Sequence, residues 1–125
     1  MSSIMAVLLN GIAQLEYDRE KLLPAHQAAY LDKMDATMDG GILVGNETVR
    51  DPDRNQRAQF AAASLVHALR TDDESLAAAM CSYLAIRMPD LRQVLIEDNA
   101  GQVSIEFVFD QDYKRQVVVN FSPVH

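Results

Sequence analysis

The segment that most constrains the fold is residues 91–121, where three apolar runs are separated by two polar turns. The middle run alternates, with Val103, Ile105, Phe107 and Phe109 on one side of an extended chain and Ser104, Glu106 and Val108 on the other. A period of two over seven residues predicts a strand with one buried face. The turns at 99–101 and 110–114 then predict an antiparallel meander of three strands.

Three segments that precede the meander carry helix signals. Pro24 suits the first position of a helix that ends at Gly40-Gly41, and Asp51-Pro52 opens a second that ends near Arg70. A third helix over 74–87 follows a cap at Asp72 or Asp73 and ends at Met88-Pro89. Because only a few residues join the last two helices, we expect them to form an antiparallel hairpin. Residues 42–50 suit a loop or a small hairpin.

The N-terminal segment, residues 4–17, carries two conflicting signals. Ile4, Leu8, Ile12 and Leu15 recur at helical spacing in a stretch rich in Ala, Leu and Met. Asn10-Gly11 between apolar runs is instead a strong hairpin signal. Few β-branched residues occur here, so propensity favours a helix, with the hairpin as the alternative.

These elements predict one α+β domain over residues 1–125. Three to four N-terminal helices, within residues 1–90, would pack on one face of a C-terminal three-stranded antiparallel meander, residues 91–121. The Phe107 and Phe109 face would meet the helices. The opposite face would carry the interaction residues Val108, Val118 and Glu106, whose half-apolar character suits a partner or a second subunit.

Charge and cysteine content exclude some functions and indicate a compartment. The formal net charge is −7, and no segment offers a basic surface for phosphate backbones, so binding to nucleic acid or to an anionic membrane is disfavoured. The lone Cys81 cannot form an internal disulfide, which indicates a reducing compartment. The apolar N-terminus lacks a positive flank and is too short to span a bilayer. We therefore expect a soluble cytoplasmic protein.

No catalytic, metal or cofactor motif occurs in the sequence. The three histidines stand at no metal-ligand spacing, and serine-nucleophile and phosphate-loop motifs are absent. Mid-helix Cys81 is typical of a buried structural thiol. We expect no metal and no cofactor, and the stripe of Asp32, Asp35 and Asp39 is interpreted as a solvated helix face.

Two further groups of side chains could form binding sites. Arg50, Arg54 and Arg57 cluster at the start of a helix and could hold an anion, although local ion pairing is the simpler interpretation. His67, Cys81 and Tyr83 could supply the polar groups of an apolar pocket between helices and sheet. That pocket would be lined by Met34, Met38, Met80 and Met88.

The favoured functional hypothesis is a non-enzymatic protein-interaction or regulatory module that acts as a homodimer. It depends on the missing catalytic motifs, the outward valines and the sheet edges that three strands leave. The alternative is a small-molecule-binding protein or enzyme that uses the methionine-lined pocket.

Overall fold

The structure is a computed structural model that describes residues 3–21, 24–44 and 46–114. Within these ranges the chain forms β1 Ile4–Leu9, β2 Ile12–Asp18, α1 Ala25–Asp39, β3 Ile42–Val44, β4 Glu47–Val49, α2 Arg54–Arg70, α3 Glu74–Arg87, β5 Gln93–Asn99 and β6 Gln102–Val108. Four strands form a mixed sheet in the order β2-β1-β5-β6, and β3 and β4 form a separate pair.

The helix predicted over residues 4–17 is wrong, because this segment is the β1–β2 hairpin. Asn10 and Gly11 have φ of 50° and 81°, the doubly left-handed backbone of a type I′ turn. β1 lies inside the sheet with apolar neighbours on both faces, so it reads as a continuous apolar run rather than an alternating one. That run mimics helical spacing, and tertiary burial overrides the propensity of Ala, Leu and Met.

The predicted arrangement, helices on a three-stranded C-terminal meander, is therefore also wrong. β5 pairs antiparallel with β6 as predicted, but it also pairs parallel with β1, so the sheet joins both ends of the chain. Asn10 fastens this junction: its main-chain N–H donates to the Ile96 carbonyl at 2.8 Å, and its side chain accepts from the Asp98 N–H at 2.9 Å. The predicted third strand, with Val117, Val119 and Phe121, lies outside the described residues.

The three helices predicted between residue 24 and the meander are confirmed as α1, α2 and α3, with small changes at their starts. α2 is capped by Asp53 rather than Asp51, and Asp53 and Gln56 form a reciprocal capping box. Asp73 caps α3 by accepting from the Leu76 N–H at 3.1 Å. None of the helices in the described ranges is long and apolar enough to cross a membrane.

The helices cover one face of the sheet and leave the other to the chain that follows β6. Val94 and Ile96 lie in the core beneath the helices, and Ile105 and Phe107 pack against its margin as predicted. On the opposite face the Tyr113 hydroxyl donates to Glu16 at 2.8 Å, over buried residues of β1. The segment 109–114 thus crosses behind the sheet.

Two residues at the ends of the predicted buried face are exposed. Val103 is 36% exposed, since it pairs with Asp98 beside the β5–β6 turn, and Phe109 is 43% exposed because it follows the end of β6. The prediction that both are buried is wrong for this reason. β6 thus carries an apolar face that the helices cover incompletely.

Candidate functional site

An ionic cluster joins the three helices around Asp35 of α1. The Tyr83 hydroxyl donates to Asp35 Oδ1 at 2.5 Å, and Arg87 Nε donates to Oδ2 at 2.8 Å. Arg57 donates to Oδ1 at 3.2 Å and also to Asp39. Arg87 reaches Asp32 as well, at 2.8 Å. Asp35 is only 28% exposed, so α1 is docked on the α2–α3 hairpin by a partly buried carboxylate with three donors.

The cluster shifts the ionisation of its members. Burial alone would raise the pKa of Asp35, but the hydrogen bonds from Tyr83 and Arg87, the Arg87 charge and the bond from Arg57 outweigh it and hold that pKa below its usual range. Burial, with the hydrogen bond to Asp35, raises the pKa of Tyr83. Asp35 is therefore a fixed anion and Tyr83 a fixed donor at neutral pH, an arrangement that suits docking of α1 better than proton transfer.

The sequence interpretation of the aspartate stripe as a solvated face missed this cluster. Asp32, Asp35 and Asp39 share one side of α1, and two arginines on separate helices face them. The spacing of the aspartates was visible in the sequence. Their partners were not, because pairing depends on how α1 crosses the hairpin.

Two clefts flank α1. One, of about 250 Å³, is lined by Tyr30, Lys33, Met34, Thr37, Met38, Phe60 and Met80. The other, of about 530 Å³, lies between α1 and α3, with His26, Gln27, Tyr30, Ser75 and Ser82 as its polar groups. Three of the four predicted pocket methionines thus share a cleft. It lies among helices rather than between helices and sheet, and Met88 lies in the core instead.

The predicted polar trio of the pocket is not brought together. Tyr83 is bonded to Asp35 on the α1 side, whereas Cys81 is buried near Tyr17 and Arg19 of the β2 region, and His67 is exposed on α2. Burial raises the pKa of the Cys81 thiol to about 12. Cys81 is thus protonated at neutral pH, as the interpretation of a structural thiol requires.

The arginine cluster is divided by the fold. Arg57 is engaged by Asp35, Asp39 and the Pro52 carbonyl, the last at 2.9 Å. Arg50 and Arg54 are exposed. An anion site at these residues stays a prediction. Among the described residues no group of three His, Cys, Asp or Glu side chains is arranged to hold a metal ion.

β6 is an edge strand of the described sheet, and its main-chain groups can be divided into inward and outward ones. Ala6 N–H donates to the Arg92 carbonyl at 3.1 Å and Asn10 N–H to that of Ile96, so even-numbered residues of β5 turn their main chain towards β1. Odd-numbered residues of β5 therefore bond to their partners in β6, which include Ser104 and Glu106. The main-chain groups of Val103, Ile105 and Phe107 point away from β5, and no described strand pairs with them.

The predicted interaction residues divide along the same strand. Glu106 is exposed on β6, whereas Val108, at 8% exposed, is buried at its end. Val118 lies outside the described residues. The outer face of β6 is exposed at Ser104 and Glu106, and what the sequence reasoning missed is that the strand also lies at an edge of the described sheet. Strand order decides this, and the local sequence does not encode it.

Comparison with known proteins gives no further assignment. No protein-family model, curated protein or solved structure matches this chain.

Proposed function

We propose that this protein is a non-enzymatic protein-interaction module that acts as a homodimer. The observation that carries the proposal is the β6 edge: seven residues of strand, with outward main-chain groups at Val103, Ile105 and Phe107. A long strand edge with incompletely covered apolar side chains is a template for pairing. The Asp35 cluster supports a binding role over catalysis, because its groups satisfy one another.

Sedimentation velocity over a concentration series tests this proposal. One strand from each copy makes a small interface, so we expect a monomer–dimer equilibrium with a dissociation constant on the order of micromolar. Since β6 already belongs to the sheet of the monomer, each copy should keep its fold on dilution. A single monomer species up to about a hundred times that concentration would contradict the proposal.

The compartment and partners belong to the same proposal. A cytoplasmic location is supported by Cys81, because a single free and buried thiol is typical of proteins in a reducing compartment. Lack of nucleic-acid binding is supported by the net charge of −7. Cell fractionation, and a titration with duplex DNA at low salt, test the two points; secretion in one case or saturable binding in the other would overturn them.

A second candidate function is binding of a small apolar molecule in the methionine-lined cleft beside α1. Met34, Met38 and Met80 are adaptable side chains, and Phe60 adds an aromatic wall. A thermal-shift screen with apolar metabolites tests it. Replacing Thr37 at the cleft by Trp should abolish a ligand-induced shift, whereas Trp at the exposed neighbour Ala36 should preserve it. No shift with any ligand would dismiss this candidate.

A further inference from the structure

The β6 strand is self-complementary about one of its own residues. When two copies of the strand run antiparallel about a two-fold axis at Ile105, Val103 meets Phe107 of the second copy and Ser104 meets Glu106 of the second copy. Apolar side chains then oppose apolar ones. The single acid of the strand opposes a serine rather than itself.

The main-chain groups agree with that axis. Ile105 points its N–H and carbonyl away from β5, so two copies of Ile105 can exchange both hydrogen bonds directly across the axis. The outward groups of Val103 would be met by those of Phe107 of the second copy. Axes at Ser104 or Glu106 would also pair these main-chain groups, but the side chains disfavour them: an axis at Glu106 sets the two acids opposite one another, and an axis at Ser104 sets Phe107 opposite Gly101 of the turn.

The sheet faces agree as well. Ile105 and Phe107 lie on the helix-covered face at the margin of the core, and Val103 on that face is only partly covered. Pairing about Ile105 places these three side chains beside their counterparts in the second copy, where they cover one another. Neither β3 nor β4 belongs to this sheet, so β6 is one of its two edge strands among those described, and β2 is the other.

The geometry points to a second copy of this chain as the occupant of the β6 edge, in antiparallel register about Ile105, so that two four-stranded sheets become one. This inference rests on the proposed homodimer and adds its register. The occupant is chosen by the charge pattern: a strand whose one acid falls opposite a serine pairs with itself without repulsion.

Charge substitutions at Ser104 test the register. Ser104→Lys places a cation opposite Glu106 of the second copy in two symmetry-related pairs, and Ser104→Glu places an acid there. We expect the dissociation constant from sedimentation to fall with Lys and rise with Glu, each by about 2- to 30-fold. Ser104→Glu combined with Glu106→Lys should restore the affinity, because each new acid then faces a new base.

Matched controls separate the interface from the fold. Gln14 is exposed on β2, at the opposite side of the sheet, so Gln14→Lys and Gln14→Glu make the same charge changes away from β6. These should leave the dissociation constant unchanged. Because Ser104 also faces Glu97 of its own chain, thermal melts below the dissociation constant report any effect on the monomer itself.

Cysteine mixing fixes the register independently of charge. Ser104 and Glu106 of the second copy form a non-hydrogen-bonded pair in this register, about 4.5 Å apart between Cα atoms, which suits a disulfide. We expect a mixture of Ser104→Cys and Glu106→Cys chains to cross-link on mild oxidation, and either variant alone to cross-link far less. Native Cys81 is buried and present in every sample, so any cross-linking through it is the same in all of them.

The outcomes distinguish the register from the function. If the dimer forms, but its dissociation constant does not change with the Ser104 substitutions and the cysteine variants do not cross-link, the register is wrong and the homodimer proposal is retained. A dimer that responds to the Gln14 substitutions overturns the register in favour of β2. A monomer throughout, whatever covers β6, overturns both.

Discussion

At the scale of single residues, Asp35 is the carboxylate that joins α1 to both α2 and α3. It draws donors from two other helices, and the hydrophobic contacts of α1 are limited to Leu31, Met38 and partly buried neighbours. The attachment of α1 therefore combines these polar bonds with the burial of Leu31 and Met38. A hydrogen bond to a charged group contributes more than a neutral one, and its loss should be measurable.

We expect Tyr83→Phe to lower the free energy of unfolding by about 1–2 kcal/mol at pH 7, because Asp35 loses a hydroxyl donor while keeping both arginines. Urea denaturation measures the change. Tyr30→Phe, at an exposed position on α1, is the matched control and should leave the free energy of unfolding almost unchanged.

The same pair has a defined pH dependence. The pKa of Asp35 is lower in the folded protein than in the unfolded chain, so its contribution is present above the unfolded pKa, about 4, and is lost as pH falls through the folded pKa. The stability difference between wild type and Tyr83→Phe should therefore shrink below about pH 4. An equal difference at pH 7 and pH 3 would show that the carboxylate charge is not what Tyr83 stabilises.

At the scale of elements, the two hairpins that pair through β1 and β5 differ in how their turns are made. Asn10-Gly11 uses the residues that favour a type I′ turn, whereas the second turn holds Ala100 at φ of 53° before Gly101 at 87°. A left-handed alanine costs about 1–2 kcal/mol, and asparagine tolerates that backbone better. The β5–β6 turn is thus the strained one.

We expect Ala100→Asn to stabilise the protein by about 0.5–1 kcal/mol, and Gly101→Ala to destabilise it by about 1 kcal/mol. A Cβ at Gly101 meets no atom within 4 Å, so backbone strain is the only cost. Gly40→Ala is the control, since Gly40 has an ordinary helical φ of −75°. Thermal melts measure all three variants. A loss of stability for Gly40→Ala equal to that for Gly101→Ala would contradict the claim that left-handed backbone strain causes the effect at Gly101.

The elements also show what the sequence can and cannot predict. α1, α2, α3 and the β5–β6 hairpin follow from caps, glycine stops and alternation, which are local signals. The β1–β2 hairpin was only the alternative prediction for residues 4–17 despite its Asn10-Gly11 turn, because a strand buried on both faces loses its period of two. The pairing of Asp35 with Arg57 and Arg87, and the parallel pairing of β1 with β5, depend on contacts distant in sequence and could not be predicted from local patterns.

At the scale of the whole molecule, the sheet determines where a partner can approach. The helices cover one face, and residues 109–114 cross the other, where Arg92 binds both the Phe109 carbonyl and Asp112. The proposed self-association at β6 would use one of the two edge strands of the described sheet, and it would need no rearrangement of the monomer.

Amide hydrogen exchange along β6, measured at concentrations below and above the dissociation constant, tests that account most directly. The amides of Ser104 and Glu106 bond within the chain and should be protected at both concentrations, whereas those of Val103, Ile105 and Phe107 point outward. We predict that the outward three exchange fast in dilute solution and slow by at least about tenfold when the dimer forms. Exchange at these three amides that does not change with concentration would contradict self-association through β6.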